Sequence, residues 1–347
     1  MSSDWSSDVC SSDLGSRPVI PGFWHHLEPY IITSDTLFEL EDLPRSLAVV
    51  GLGVIGMELG QALSRLGVDV VGLDLLDSVA GISDPVVLEE TKTILQNDFP
   101  FWLGERAELT EQDGKIMARS GDNSRLVDKV LLSMGRRPNI DQLGLENIGV
   151  PLDDRRLPIF DRNTMQIEGM PIYIAGDVVV EKAILHEASD EGRIAGFNAA
   201  HDEPRKFKRR TALGICFTDP HIGFAGHRYV DIKDKNPIIG EVSFRDQGRS
   251  RAMRANEGHA RLYACPDTYR LLGAEMIAPA GEHMIQLLTW SIQAKQTIFD
   301  LLHMPYYHPV VEEGLRTAIR SMVRQVRDKS NQFELADCDG SCIDVLC

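Results

Sequence analysis

Residues 47–50 and 68–73 are short apolar runs rich in β-branched side chains, the pattern of strands buried in a parallel sheet. Between them, residues 57–66 carry apolar side chains at helical intervals. The order predicts strand, helix, strand. Gly51, Gly53 and Gly56 fall between the first strand and the helix in G-x-G-x-x-G spacing. Gly51 would allow a tight turn, Gly53 would leave room for a pyrophosphate, and Gly56 would let helix and strand pack closely. The helix N-terminus offers N–H groups and the positive end of its dipole to phosphates. Asp74 closes the second strand about 20 residues past the glycines, where a carboxylate can hydrogen-bond a ribose 2′-hydroxyl. Together these features form a dinucleotide-binding fingerprint.

The pattern continues as α/β. Residues 84–96 predict a helix, with Asp84 as N-cap and Pro85 in the first turn. Residues 101–125 alternate short strands with turns at Asp113-Gly114 and Gly121-Asp122. A buried strand is expected over 127–134, stopping at Gly135, and another over 172–175, ending in Gly176-Asp177. An acid at that place either faces a ligand at the carboxyl edge of a parallel sheet or caps the helix expected over 185–200. Residues 205–210 are a basic crossing, read as a solvated linker. From residue 211 the pattern becomes antiparallel α+β, with strands over 238–244, 260–265 and 270–277 and helices over 282–302 and 311–326. Ahead of the dinucleotide unit, Pro18 and Pro21 break any regular element, and residues 23–44 read as a mixed connector.

Composition narrows the function. A net charge of −16 over 347 residues argues against nucleic-acid and anionic-membrane partners. No apolar run approaches the roughly 20 residues of a membrane span. Six cysteines (Cys10, Cys216, Cys265, Cys338, Cys342 and Cys347) are too few and too scattered for a secreted disulfide scaffold. A cytoplasmic protein is expected. Residues 1–14 repeat Ser-Ser-Asp three times and lack the basic start and apolar core of a signal peptide. They read as a leader without fold or function.

Several motifs, in order, resemble the flavin disulfide reductases, most closely the dihydrolipoyl dehydrogenases: GSRP at 15–18, GLGVIGMELG at 51–60, MGRRPN at 134–139, IYIAGD at 172–177, LHEASDEG at 185–192, FTDP at 217–220 and HPVVEEGLR at 308–316. The resemblance implies an α/β protein with FAD/NAD(P)-binding Rossmann-like domains and a C-terminal α+β dimerisation domain. It divides the chain into a leader (1–14), a partial FAD-binding domain (15–44 and 135–205), an NAD-binding domain (45–134), a dimerisation domain (206–330) and a cysteine-containing tail (331–347). It implies that Ser16 and Asp177 contact FAD with His186 near the flavin, and that Gly51, Gly53, Gly56, Asp74 and Gly135 contact NAD. Glu58 would pair with a lysine beside the flavin, a lysine that the family carries in its opening segment. His308 would take a proton from the dithiol, and Glu313 would orient it, the pair reaching the flavin site of a second subunit in a homodimer. The family's His-Pro-Thr is His308-Pro309-Val310 here.

The chemistry needs such a pair. Thiol–disulfide exchange runs through a thiolate, so a base must stand near the sulfur. Histidine titrates near neutral pH, and a carboxylate on its other nitrogen fixes the tautomer. Taken without the other motifs, a His-Pro ahead of a helix reads as a cap; the motif order favours the base. The implied activity is oxidation of dihydrolipoamide, free or on a lipoyl domain, by NAD through FAD and a redox disulfide. Other readings are a mercuric reductase, a soluble transhydrogenase or, in a different class, a non-catalytic NAD-binding fragment. The family's first G-x-G-x-x-G and its C-x-x-x-x-C redox pair are not found before Gly15. The chain as it stands is therefore expected to be a truncated, inactive form. Cys342 and Cys347 repeat the C-x-x-x-x-C spacing without the surrounding glycines, and with Cys338 they read as a frayed end or an electron-passing tail. No metal site is expected.

Overall fold

The structure is a computed structural model that describes residues 14–179, 183–326 and 334–335. The Ser/Asp leader apart from Leu14, and Cys338, Cys342 and Cys347 of the tail, lie outside the described residues. The chain folds as two compact units.

The larger unit takes residues 27–32, 40–133 and the described residues from 210 onward. Its first sheet is parallel, with the order Ile31–Ile32, Lys129–Leu132, Ser46–Val50, Asp69–Asp74, Phe101–Leu103. Leu47, Ala48, Val49, Val71 and Leu73 are fully buried, which is why the run reads apolar without alternation. The helices Val54–Arg65 and Pro85–Leu95 follow the second and third of these strands in sequence. Asp84 caps the latter, its carboxylate accepting from Val86 N and Val87 N, and Pro85 sits in the first turn, as the sequence predicts. A three-stranded meander, Ala107–Gln112, Lys115–Ser120 and Asn123–Val127, precedes the strand Lys129–Leu132. The expected strand over 127–134 is thus two elements. Val127 ends the meander's last hairpin strand, and Asp128 bridges to the parallel sheet by accepting from Ser46 N and Oγ.

The second sheet of this unit is antiparallel, with the order Leu213–Cys216, His221–Gly226, Leu271–Ala278, His259–Ala264, Ile238–Ser243. Two of these strands were not legible in the sequence. Leu213–Cys216 and His221–Gly226 are short, glycine-bearing and joined through Asp219-Pro220, so they lack a clean period. The helices Gly281–Gln293 and Glu313–Val323 share its core with Phe244, Leu262, Met276 and Ile285. The single helix expected over 282–302 is interrupted. Lys295 takes a left-handed φ of 59°, and Thr297 starts a separate helix, Ile298–Leu302, with its own capping box.

The smaller unit takes residues 14–26, 33–39 and 134–209 as far as they are described. Ser16–Pro18 pairs antiparallel with Arg136–Pro138, so the stretch read as broken by proline is an edge strand. A hairpin, Phe160–Asp161 with Gln166–Ile167, stands before the helix Leu185–Ala199. Its core is Ile140, Met165, Val178, Val179 and Ile194. Residues 172–175 do not form the expected strand. They run beside the hairpin, through one bridge between Tyr173 and Gln166 and a bond from Ile174 N to Met165 O. A buried parallel strand needs flanking parallel strands, and among the described residues this segment has only the antiparallel bridge to the hairpin.

Candidate functional sites

The glycine-rich turn is built as its spacing predicts. Gly51 has φ +95°, a conformation that side chains resist. A Cβ on Gly56 would stand 1.9 Å from Gly51 O and 2.7 Å from Ser133 Oγ, so helix and sheet meet there without room for a methyl group. A Cβ on Gly53 would meet nothing within 4 Å. Gly53 is also the helix N-cap and makes no side-chain cap bond. An open glycine in front of first-turn N–H groups is the cradle that a pyrophosphate fits. Asp74, last in its strand, accepts from Leu52 N at 2.6 Å and from Leu76 N at 2.8 Å. Its carboxylate is therefore held at the mouth of the turn, where its remaining lone pairs can receive ribose hydroxyls.

Glu58, one turn along that helix, accepts from Phe217 N at 2.7 Å and ties the helix to the loop after Cys216. Burial, with Glu58 nearby, pushes the Cys216 thiol up to about 12. Cys216 stays a protonated core thiol.

His308 and Glu313 meet. Nδ1 of His308 lies 3.0 Å and 3.1 Å from the two carboxylate oxygens, and the imidazole is 80% exposed. The helix that Glu313 begins has Glu312 as its N-cap with no side-chain cap bond, so His308 is not its N-cap. With Nδ1 committed to the carboxylate, Nε2 of His308 is left to take a proton.

In the smaller unit, Ser16 Oγ donates to Asp177 Oδ2 at 3.4 Å, joining residues 161 apart in sequence. Asp177 opens a short 3₁₀ turn, Asp177–Val179, while the N-cap of the helix Leu185–Ala199 is Ile184. The helix-cap alternative for Asp177 does not hold. His186 is exposed in that helix's first turn, and Gly135 (φ +96°) accepts from Val19 N.

Sequence reading passed over two groups here. Arg136 donates from Nε to Ser16 Oγ at 2.8 Å and also reaches Ser34 and Asp35. Arg209, placed in the expected solvated linker, instead donates to Glu187 at 2.6 Å and to Glu191 at 2.9 Å, both buried. Glu191 also accepts from Gly176 N at 2.8 Å, beside Asp177. Burial opposes the Arg209 charge, but Glu191 and Glu187 more than reverse this and raise its pKa. The only sequence signal was a pair of glutamates four apart on a helix.

The profile of the pyridine nucleotide-disulphide oxidoreductases matches residues 14–202, and that of their dimerisation domain matches residues 213–319. The chain belongs to this family. Among curated relatives, it is 33% identical to a dihydrolipoyl dehydrogenase of Haloferax volcanii over 91% of this chain and 68% of that protein. It is 32% identical to dihydrolipoyl dehydrogenase 2 of Haloarcula marismortui, over 88% and 66%. It thus spans about two thirds of the length of these relatives. Among solved structures, the HOCl-induced flavoprotein disulfide reductase RclA of Escherichia coli superposes with a TM-score of 0.78 at 22% identity, covering 88% of this chain and 72% of that one. LpdA of Mycobacterium tuberculosis gives 0.76 at 23%, covering 88% and 68%. These two likenesses concern the fold.

The resemblance drawn from the motifs is therefore met. The protein is a mixed α/β member of a flavoprotein oxidoreductase family whose dihydrolipoyl dehydrogenases use FAD and NAD, and it carries the family's dimerisation domain. No helix among the described residues is long and apolar enough to cross a membrane. No described cluster of His, Cys, Asp or Glu could hold a metal.

Proposed function

We propose that this oxidoreductase serves NAD-linked oxidation of a dithiol of the dihydrolipoamide type, working as a homodimer in the cytoplasm. One observation carries the reading: an exposed imidazole whose Nδ1 is held by a carboxylate five residues on, leaving Nε2 outward. In the reaction the dithiol loses two electrons and two protons and becomes a disulfide. NAD takes both electrons and one proton as hydride, and one proton is released. His308 Nε2 accepts the proton of the attacking thiol, and Glu313 stabilises the imidazolium. Gly51, Gly53, Gly56 and the helix N-terminus would receive the NAD pyrophosphate, with Asp74 on the adenosine ribose.

The family's FAD, when bound, supplies the two-electron relay between thiol and nicotinamide. Ser16 and Asp177, joined and backed by Arg136, fit the hydroxyl-bearing side chain of such a group, with His186 near its ring. The free thiols Cys216 and Cys265 suit a reducing compartment.

The test is H308Q in a flavin-loaded form of the enzyme that also carries the family's redox pair. Reduction by dihydrolipoamide is expected to slow about 10²–10⁴-fold, the worth of a positioned base. Hydride exchange with NADH is expected to stay within twofold or so of the parent. Equal loss in both half-reactions would make His308 structural.

A further inference from the structure

Two carboxylates in the larger unit, Asp84 and Glu275, are fully buried and have no part in the chemistry above. Asp84 has partners suited to its charge: Arg261 Nη1 lies 3.0 Å from each carboxylate oxygen, and Tyr263 Oη donates at 2.9 Å. Glu275, in the strand Leu271–Ala278 of the antiparallel sheet, is satisfied differently. It accepts from Ser83 N at 2.6 Å, Ser83 Oγ at 2.5 Å, Asp84 N at 3.2 Å and Tyr229 N at 2.7 Å. Asp84 already caps the helix Pro85–Leu95. Glu275 is therefore not needed as a cap, and its bonds fall one step earlier, on the end of the loop that leads away from Asp74.

That loop returns to the glycine-rich turn. Leu52, between Gly51 and Gly53, is gripped on both sides. Its N–H donates to Asp74, and its carbonyl accepts from Ala80 N at 2.8 Å. From Ala80 to Ser83 the loop is closed on itself, through Ser78 Oγ to Ile82 O at 2.6 Å and Ile82 N to Val79 O at 3.0 Å. Arg228 Nη1 holds Gly81 O at 2.6 Å. Hydrogen bonds joined by single covalent steps thus lead from Glu275 to Ser83, from Ile82 to Val79, and from Ala80 to the phosphate turn.

We propose that Glu275 is a positioning residue for the adenosine half of the dinucleotide site, reaching it through Ser83 and the loop 75–83. The inference rests on the nucleotide reading above, and it assigns to the antiparallel sheet a share in nucleotide affinity. A residue that served stability alone would lower the melting temperature and leave both halves of the nucleotide equally well bound.

The experiment titrates ADP-ribose and, separately, nicotinamide mononucleotide into the full chain, its E275Q variant and its S83A variant, with melting temperatures recorded alongside. Glutamine turns an NH₂ toward donors. E275Q is expected to weaken ADP-ribose about 10-fold, within the range of coupled sites, with nicotinamide mononucleotide unchanged. S83A removes one donor from the carboxylate and is expected to weaken ADP-ribose about 3-fold, a smaller effect than E275Q because the other donors remain. Should E275Q fail to fold, S83A decides alone. Parental ADP-ribose affinity in the folded variants overturns the inference, as does an equal loss for both ligands. Failure of the parent chain to bind ADP-ribose instead overturns the nucleotide reading itself.

Discussion

The glycine-rich unit around residues 46–74 and the segment around residues 172–177 were both expected to be apolar strands ending in a ligand-facing acid. They are held in opposite ways. In the first, the partners are near in sequence: Gly51 N bonds Leu73 O, Leu52 N bonds Asp74, and Gly56 packs on Gly51. In the second, the partners are distant or charged. Asp177 meets Ser16, Gly176 N meets Glu191, and Glu191 depends on Arg209. A site made within one strand–turn–helix unit rests on backbone sterics. A site made of charged side chains rests on their pairing.

Breaking the second region at its charge is expected to cost most. R209M would strip from two buried glutamates the guanidinium that bonds both, a loss of about 3–5 kcal/mol. Urea unfolding followed by probes in each unit would show the smaller unit melting first. A loss below ~1 kcal/mol would mean that water already screens the pair.

Breaking the first region at its sterics comes next. In G56A the alanine gains about 1 kcal/mol of helix propensity but places a methyl 1.9 Å from a backbone oxygen. Overpacking against backbone costs about 3 kcal/mol, so the clash wins. NAD binding is expected to fall below detection in a calorimetric titration. Wild-type affinity in G56A would show that the helix can shift away at no cost.

D74A sharpens the comparison, because it removes the acid and leaves the glycines. NAD affinity is expected to drop by about 10-fold, from one or two charge-assisted bonds. The parent's preference for NAD over NADP should shrink, since a carboxylate repels a 2′-phosphate. Competitive titration of both nucleotides reads the two effects together.

The smallest expected effect concerns pH. Lys115, then the hydroxyl and N–H of Ser46, hold Asp128 below its ordinary value of 3.8 against the opposing effect of burial. A depressed folded-state pKa stabilises above the unfolded value, and the gain is lost as pH falls through the folded one. The melting-temperature gap between the parent and D128N is therefore expected to be full at pH 6 and to close below about pH 3.8, with a size near ~1 kcal/mol. A gap independent of pH would assign the effect to packing.

The same contrast explains what could be read ahead of the structure. A strand of uninterrupted β-branched residues, three glycines in fixed spacing, an Asp-Pro helix start and a histidine five residues from a glutamate are local patterns, and local sterics and capping bonds realise them. Motif order was enough for the family. The break at Lys295, the two short strands about Asp219-Pro220, the irregular course of residues 172–175 and the pairing of Arg209 with two buried glutamates were not legible. Glu275 looked like any polar residue in a strand, yet it is buried beneath Ser83, 192 residues away. Whether a charged side chain is solvated or buried depends on which distant segment covers it. Chain-local periodicity carries no record of that, because burial follows from the summed packing of elements far apart in sequence.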